Sequence, residues 1–323
     1  MAVLQDDNSS RWRRTTVLAL KSAGSLGGQL VLLIFVTLTL LFFLVRLTGD
    51  PAMALSGDSV EEEVLEAIRK LYGLDQPLLV QYFIYLKNVL YLDLGTSWVS
   101  GRAALDVALE RMPATLSLAA AGITVNLLIA IPLGTFIGTD RFPLLRRVVD
   151  FMVFIGQGIP GYVVALFLIQ LFVVEWRLAP STGNVGLASY FLPSITIASF
   201  LAPKLARVIG VNVADTLKED YVVMARAQGA SYASVVFRHA LPNAMLGATA
   251  LIGTQIAGLV NGIIITETIF GWPGVGRLLL DSVLLLDFPV VQAVVIVTTI
   301  FVFLTNWGAD RVIELIDPRL RNR

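Results

Sequence analysis

Chemically reactive side chains are sparse in this 323-residue sequence, and none forms a catalytic or metal-binding pattern. His239 is the only histidine and cysteine is absent, so a site built from several imidazoles or thiolates is excluded. Counting alone does not exclude a Ser/His/Asp triad through His239. However, His239 follows Arg238 at the edge of a long uncharged stretch, where an interfacial role is favoured. We predict no catalytic residue and no metal site.

Glycine patterns typical of nucleotide binding do not occur in the required context. The segment GQGIPG at 156–161 matches G-x-G-x-x-G, but it lies within an uncharged stretch and contains Pro160. A dinucleotide fingerprint joins a strand to a helix in a βαβ unit. We interpret this segment instead as a kinked or broken membrane helix that lines a path. No Gly-Lys pair occurs, so a P-loop is absent and we predict that the chain itself binds no cofactor.

Polar side chains within the uncharged stretches are amides. Gln157, Gln255 and Asn261, together with Glu267 directly after the fifth stretch, are predicted to line a translocation path. No carboxylate lies inside a stretch, whereas ion-coupled secondary carriers typically place Asp, Glu or His along their ion path. The energy for transport is therefore expected to come from elsewhere.

The elements that must position these residues are membrane helices. The composition is 56% hydrophobic and 15% charged, against about 25% charged in soluble domains. About 20 apolar residues cross the hydrocarbon core as a helix. Six stretches longer than 20 residues contain no charged residue: 22–45, 112–139, 151–174, 178–203, 239–266 and 288–309. We predict an all-α polytopic membrane protein with about six transmembrane helices.

The distribution of Lys and Arg predicts the orientation. With the N-terminus in the cytoplasm, 16 of the 24 Lys and Arg residues fall on the cytoplasmic side and eight on the other, so both ends are cytoplasmic. The formal net charge of zero gives no indication of nucleic-acid binding. The expected organisation is a cytoplasmic tail at 1–29 and a single transmembrane domain at 30–323, with an external connection at 47–111 and a cytoplasmic connection at 204–238.

The external connection is predicted to contain two short helices. Glu62, Glu66 and Lys70 stand four residues apart, as in a solvated helix, and Pro77 precedes a second amphipathic stretch rich in Tyr and Phe. This region either packs as a cap on the outer ends of the spans or presents a docking surface. Both alternatives are open at this point.

The cytoplasmic connection is predicted to form a helix, a glycine turn and a second helix. Asp220 starts the first helix, Arg226 lies near its end, and both charges match the helix dipole. Gly229 stands where a left-handed cap is needed, and Ser231 can cap the next helix. Residues 221–224 (YVVM) make the first helix unusually apolar for a water-facing segment. A cytoplasmic protein partner is implied.

Short motifs occur in a fixed order along the whole chain. They are GDPA at 49–52, LDQPL at 74–78, QY at 81–82, LDLGTS at 92–97, ARAQG at 225–229, HALPN at 239–243, ETIF at 267–270, WPGVGR at 272–277, DFP at 287–289 and DPR at 317–319. On these motifs the chain resembles, over its whole length, the permease subunits of the dipeptide/oligopeptide/nickel class of ABC importers, specifically the first of the two paired permeases. One departure is Gln228, where Lys is common in the family.

The resemblance implies a type I ABC importer permease fold in the bacterial inner membrane. It implies a second, homologous permease as heterodimer partner, two ATPase subunits that bind ATP and Mg, and an extracytoplasmic peptide-binding protein. Binding-protein docking is assigned to Asp75, Asp93, Trp272 and Asp287. The residues assigned to ATPase coupling are Tyr221, Met224, Ala225, Arg226, Ala227, Gln228, Gly229, Ala230 and Ser231.

The function implied is import of di- or oligopeptides, driven by ATP hydrolysis in partner subunits. Nickel, glutathione and opines are alternative substrates of the same complex type. A stand-alone channel or secondary carrier is the alternative from another class, and it would conduct without an ATPase. An intramembrane enzyme would need a charged nucleophile or base within a span, and the six stretches contain none.

Overall fold

The computed structural model describes residues 27–44, 46, 47, 52, 61–71, 73–139, 141–180, 183 and 186–316, without the side chains at 260, 261 and 312–316. The motifs at 49–51 and 317–319, and most of the predicted tail 1–29, lie outside these residues. Within the described part, the sole strand-like feature is one bridge between Thr96 and Ala103. The helices are α1 Gly27–Leu44, α2 Glu62–Leu71, α3 Leu78–Leu90, α4 Ala104–Gly138, α5 Pro143–Gly158, α6 Gly161–Leu168, α7 Phe191–Thr216, α8 Asp220–Ala227, α9 Tyr232–Ser234, α10 Leu241–Ile269, α11 Val275–Leu284 and α12 Phe288–Ile316.

Apolar helices of membrane-spanning length confirm the predicted fold class. Among the described residues, five helices are long and apolar enough to cross a membrane, and the number is six if α5 and the helix Gly161–Glu175, which meet at a bend of 101°, are counted as one span. The bend lies at Ile159, which is extended (φ −86°, ψ 119°), and Pro160. A residue before proline avoids helical backbone and proline cannot donate a hydrogen bond. The break predicted in the segment 156–161 is therefore confirmed.

Two helices continue past the charged residues that border the uncharged stretches. α4 begins at Ala104, inside the predicted external connection 47–111, and Asp106 and Glu110 lie exposed on the helix. α7 occupies Phe191–Thr216 and so extends beyond the uncharged stretch 178–203, with Lys204 and Arg207 on its exposed face. A charged residue marks where a helix can leave the hydrocarbon region, not where its hydrogen bonding ends.

The chain divides into two compact units. The first, Met1–Leu105 with Leu285–Phe303, pairs α1 with α3. Phe42 is fully buried, and its ring lies 5.1 Å from that of Tyr82, centre to centre. The Arg46 Nη2 donates to Gln81 Oε1 at 2.8 Å. Aromatic packing and a charge-assisted hydrogen bond thus join the first span to the external helix that follows it.

The second unit, Asp106–Leu284 with Leu304–Arg323, is built around α7. Leu205, Ile209 and Val213 of α7 are fully buried in a cluster with Ala130 of α4 and Ala244 of α10. A further cluster toward the other end of α7 contains Leu118, Ile197, Leu259, Ile263 and Trp272. Small residues on α4 and α10 let these helices approach α7 closely, as membrane helices require.

Candidate functional site

The α8 turn, residues 220–231, connects two spans of the second unit and carries exposed apolar side chains. Glu219 precedes α8 in an extended conformation (φ −66°, ψ 143°), and Asp220 and Arg226 lie at opposite ends of the helix. The Ser231 hydroxyl accepts a hydrogen bond from the Ser234 N–H at 3.3 Å, which caps the following helix. The predicted helix and both of its borders are thus confirmed.

Gly229 ends α8 with a left-handed residue. Its φ is +89°, a conformation that side chains with a Cβ rarely adopt. The Ala230 N–H donates to the Ala225 carbonyl at 3.1 Å and the Gly229 N–H to the Arg226 carbonyl at 3.0 Å. This pair of bonds is a Schellman motif. No atom lies within 4 Å of the position that a Cβ on Gly229 would occupy. The requirement for glycine is therefore conformational and not one of space.

The outward face of α8 is apolar. Met224 is 63% exposed, with Tyr221 and Val223 also exposed, whereas Val222 is fully buried and anchors the helix. The predicted coupling residues form one contiguous segment, exposed or half-buried throughout. The structure therefore brings together every residue predicted for coupling, and their role in coupling stays a prediction. α9 continues through the π-helical residues Val235–Ala240 into α10, so the turn is attached directly to a span.

A buried carboxylate organises the opposite end of the second unit. Glu267, at the end of α10, is 0% exposed. Its Oε1 accepts the Thr115 hydroxyl at 2.6 Å, and its Oε2 accepts the N–H groups of Gly276 at 2.8 Å and Arg277 at 3.1 Å. The Thr115 Oγ1 in turn accepts the Val275 N–H at 2.8 Å. One carboxylate thus satisfies the first turn of α11, where helix N–H groups favour negative charge.

The residues around Glu267 leave no space for larger side chains. A Cβ on Gly276 would lie 2.6 Å from Ile264 Cγ1, and one on Gly274 would overlap the Glu267 carboxylate. Trp272 is fully buried and its Nε1 donates to the Ala114 carbonyl at 2.9 Å. We refer to Ala114, Thr115, Glu267, Trp272 and residues 274–277 as the outer block. Its polar groups are paired, so it joins α4, α10 and α11 tightly.

The burial of the outer block corrects two predictions. Glu267 was expected to line a translocation path, but its carboxylate is enclosed by the groups that it accepts hydrogen bonds from. Trp272 was expected to contact a binding protein, but its side chain has no exposed surface. Both residues hold helix ends together in this structure. A charge directly after an apolar stretch can be buried when backbone donors compensate for desolvation.

The remaining predicted docking residues lie in the first unit. Asp287 is 3% exposed and accepts the Ser97 hydroxyl at 2.5 Å and the Trp98 N–H at 3.0 Å, so its prediction as a docking residue is also corrected. Asp75 and Asp93 are exposed, and their docking role stays a prediction. The Asp93 carboxylate accepts the Gly95 N–H at 3.0 Å, which fixes the local turn.

The predicted path residues separate into different environments. Gln255 is buried, accepts from Asn126 Nδ2 at 3.0 Å and donates to the Leu201 carbonyl at 2.9 Å, so it links three helices rather than facing open space. Gln157 is exposed beside the helix break and lines a cavity of about 360 Å³. The Asn261 side chain lies outside the described part. A path role remains a prediction for Gln157.

Two groups of residues were missed by sequence reasoning. Lys204 and Arg207 line the same cavity as Gln157, because α7 extends beyond its uncharged part. Their spacing of three residues, on one helix face, was the available signal. Thr115 was missed as the partner of Glu267, since 152 residues separate them and no local pattern relates them.

Comparison with known families agrees with this arrangement. Residues 130–322 match the family described as binding-protein-dependent transport system inner membrane component. Residues 23–119 match the N-terminal region of such membrane components. The chain belongs to this family of inner-membrane permeases of binding-protein-dependent ABC importers, which confirms the resemblance.

Individual relatives extend over almost the whole chain. The glutathione transport system permease protein GsiC of Escherichia coli K12 is 34% identical over 91% of this chain and 96% of its own length. GsiC of Salmonella choleraesuis is 35% identical over the same shares. Among solved structures, the MetNI methionine ABC transporter in an inward facing conformation superposes with a TM-score of 0.56 at 18% identity, covering 65% of this chain and 96% of that one. This structural likeness supports the type I permease fold.

Proposed function

We propose that this chain forms half of the translocation path for a small peptide-class substrate, with glutathione as the first candidate. The observation that carries this proposal is the 34% identity over 91% of the chain to permeases named for glutathione transport. Glutathione is a tripeptide, so it falls within the di- and oligopeptide class inferred from the motifs.

The cavity beside Gln157 supports an anionic peptide. Lys204 and Arg207 contribute two cationic side chains to its lining, and Gln157 and Asn212 contribute amides. Carboxylates pair with guanidinium and ammonium groups, and amides hydrogen-bond a peptide backbone. Glutathione and the carboxyl end of any short peptide offer this chemistry. The cavity therefore favours peptides over an uncomplexed nickel cation.

Energy coupling is assigned to the α8 turn. The exposed apolar face of Tyr221, Val223 and Met224 would seat on a separate ATPase subunit, which would bind ATP and Mg. Closure of two such subunits on ATP would move α8 with its attached span and open the path outward, and hydrolysis would reset it. A homologous second permease would supply the other half of the path, and an extracytoplasmic binding protein would deliver the substrate.

Uptake measurements test the substrate assignment. Cells without their own peptide importers would express this chain with its second permease, ATPase and binding-protein subunits, and take up radiolabelled glutathione. We expect uptake that requires all subunits and is inhibited by excess unlabelled glutathione or dipeptide. Uptake of a radiolabelled dipeptide by the same cells, without uptake of glutathione, would move the assignment to general peptides. Transport of only nickel complexes or opines would contradict the proposal.

A further inference from the structure

Two adjoining cavities lie at the cytoplasmic end of the second unit. The first, about 530 Å³, is an apolar groove between the last turns of α4 and the start of the fifth span, lined by Ile131, Phe136, Val236 and Phe237. The second, about 680 Å³, is lined by four basic residues, Arg141, Arg146, Lys218 and Arg226. Arg141 and Tyr232 line both cavities, so the groove and the basic pocket lie next to each other.

The position of the groove favours one kind of occupant. Ile131 precedes the end of α4 at Gly138 by seven residues, or about 10 Å along the helix axis. Val236 and Phe237 belong to the candidate span Tyr232–Leu259. Both walls of the groove therefore belong to helices that are candidate membrane spans. An apolar groove between the cytoplasmic ends of two such helices fits the acyl chain of a lipid.

The mouth of the groove carries a positioned cation. The Arg141 guanidinium lies 5.5 Å from the ring centre of Tyr232 and 5.8 Å from that of Phe142. Two aromatic rings at this distance hold a guanidinium by cation–π attraction. Tyr and Arg are typical of the membrane–water interface, where Arg extends to the head-group level. Arg141 thus stands between an apolar groove and a basic pocket.

The basic pocket is suited to a phosphodiester anion. No carboxylate residue is among its lining residues, and Arg141, Arg146 and Arg226 supply guanidinium groups that match phosphate geometry. Lys218, the fourth basic residue, forms an ion pair with Asp215 at 3.0 Å. Basic pockets between membrane helices on the cytoplasmic side favour anionic lipid head groups.

We propose that the groove and the basic pocket together form a binding site for one anionic phospholipid of the cytoplasmic leaflet. Its phosphate lies between Arg141 and Arg146, and one acyl chain lies along Ile131 and Phe237. The site adjoins α8 through Arg226, so lipid occupancy also stabilises the region from which the α8 turn projects. This inference does not depend on the substrate.

Lipid titration of the purified complex tests the site. The full chain, copurified with its coexpressed subunits and stripped of lipid, is titrated with dioleoyl phosphatidylglycerol, dioleoyl phosphatidylcholine or inorganic phosphate, and bound lipid is counted by native mass spectrometry. We expect phosphatidylglycerol to bind more tightly than phosphatidylcholine, and phosphate not to replace it. Equal binding of the two lipids, or full displacement by phosphate, would overturn the proposal.

Matched variants separate this site from general attraction to a basic surface. Arg141→Gln and Arg146→Gln should each weaken phosphatidylglycerol binding about fivefold. This change corresponds to the roughly 1 kcal/mol that one basic residue near the membrane surface contributes to the binding of anionic lipid. Arg147→Gln, an exposed neighbour that lines neither cavity, should leave it unchanged. Equal losses in all three variants would overturn the site.

A groove variant keeps the test independent of charge. Ala233 lines the groove and is exposed, so Ala233→Trp fills it without disturbing a core. We expect weaker binding of phosphatidylglycerol and normal folding by circular dichroism and size exclusion. If Arg141→Gln instead reduced recovery of the ATPase subunit while lipid binding stayed normal, the basic pocket would be a protein contact and the proposal would be wrong.

Discussion

The outer block and the α8 turn show how differently two motif-rich regions of one unit are built. In the outer block, Glu267 is fully buried and accepts three hydrogen bonds from α4 and α11. In the α8 turn, Met224 and its apolar neighbours are exposed and only Val222 anchors the helix. The first region is complete within the chain, and the second presents a surface that a partner would cover.

The outer block and the α8 turn also require glycine for different reasons. Gly276 is required for space, since its Cβ would lie 2.6 Å from Ile264. Gly229 is required for its backbone angle of +89°, with open space around it. Substitutions should therefore affect folding in the outer block and coupling in the α8 turn. The expected loss of stability decreases from substitutions at Glu267 and Gly276 to those at Gly229 and Met224.

Removing the Glu267 carboxylate should have the largest effect. Glu267→Ala leaves the Thr115 hydroxyl and two backbone N–H groups buried without an acceptor, at a cost of roughly 3 kcal/mol or more. We expect poor recovery and a lowered thermal unfolding midpoint for the purified chain. Glu63→Ala on the exposed face of α2 is the matched control, with a change within about 0.5 kcal/mol. Equal midpoints for the two variants would show that the outer block is not the stabilising element.

Gly276→Ala adds one methyl group at a position without space for it. It should destabilise the chain by about 1–3 kcal/mol, because Ile264 and the Glu267 carboxylate must move. The measurement is again the unfolding midpoint. At Gly308, on α12, no atom lies within 4 Å of a Cβ, so Gly308→Ala should be neutral or stabilising by up to about 1 kcal/mol. The contrast is lost if both substitutions are equally tolerated.

Replacing Gly229 should impair transport more than folding. Gly229→Val forces a β-branched residue out of the left-handed conformation, at about 1–2 kcal/mol locally, and redirects the chain after α8. We expect loss of substrate uptake with normal membrane insertion. Gly229→Asn, which tolerates this conformation, should retain much of the activity. Full transport by the valine variant would count against the α8 turn as the coupling element.

A charge on the exposed face of α8 should have almost no effect on folding. Met224→Asp is expected to change the unfolding midpoint little, since surface substitutions fall within about 0.5 kcal/mol, and yet to reduce copurification of the ATPase subunit. Leu284→Asp, equally exposed at the end of α11, should leave ATPase recovery intact. Loss of ATPase in both variants would indicate a general defect.

Local chemistry made the α8 turn predictable from the sequence. The Gly229 cap and the Ser231 cap depend on residues within one or two turns, and the helix break depends on Pro160 itself. Each of these predictions needed only neighbouring residues, and each is confirmed.

The other features could not be predicted, because they depend on contacts between residues that are far apart in the sequence. Thr115, the side-chain partner of Glu267, and Ser97, the side-chain partner of Asp287, lie 152 and 190 residues away, so the sequence alone could not reveal that these acids are buried. The ends of α4 and α7 do not coincide with the ends of the uncharged stretches, because a lack of charge indicates contact with lipid, whereas a helix can continue into water. The family resemblance supplied the class of function, and contacts between distant residues decided what individual acids do.

Site-directed cross-linking at Met224 tests the central claim most directly. The chain contains no cysteine, so Met224→Cys creates a single attachment point for a photoreactive benzophenone maleimide. In the assembled complex we predict a light-dependent cross-link from position 224 to the ATPase subunit, and none from Leu284→Cys. Absence of an ATPase adduct at position 224, in a complex that still transports with ATP, would contradict the assignment of α8 as the coupling element.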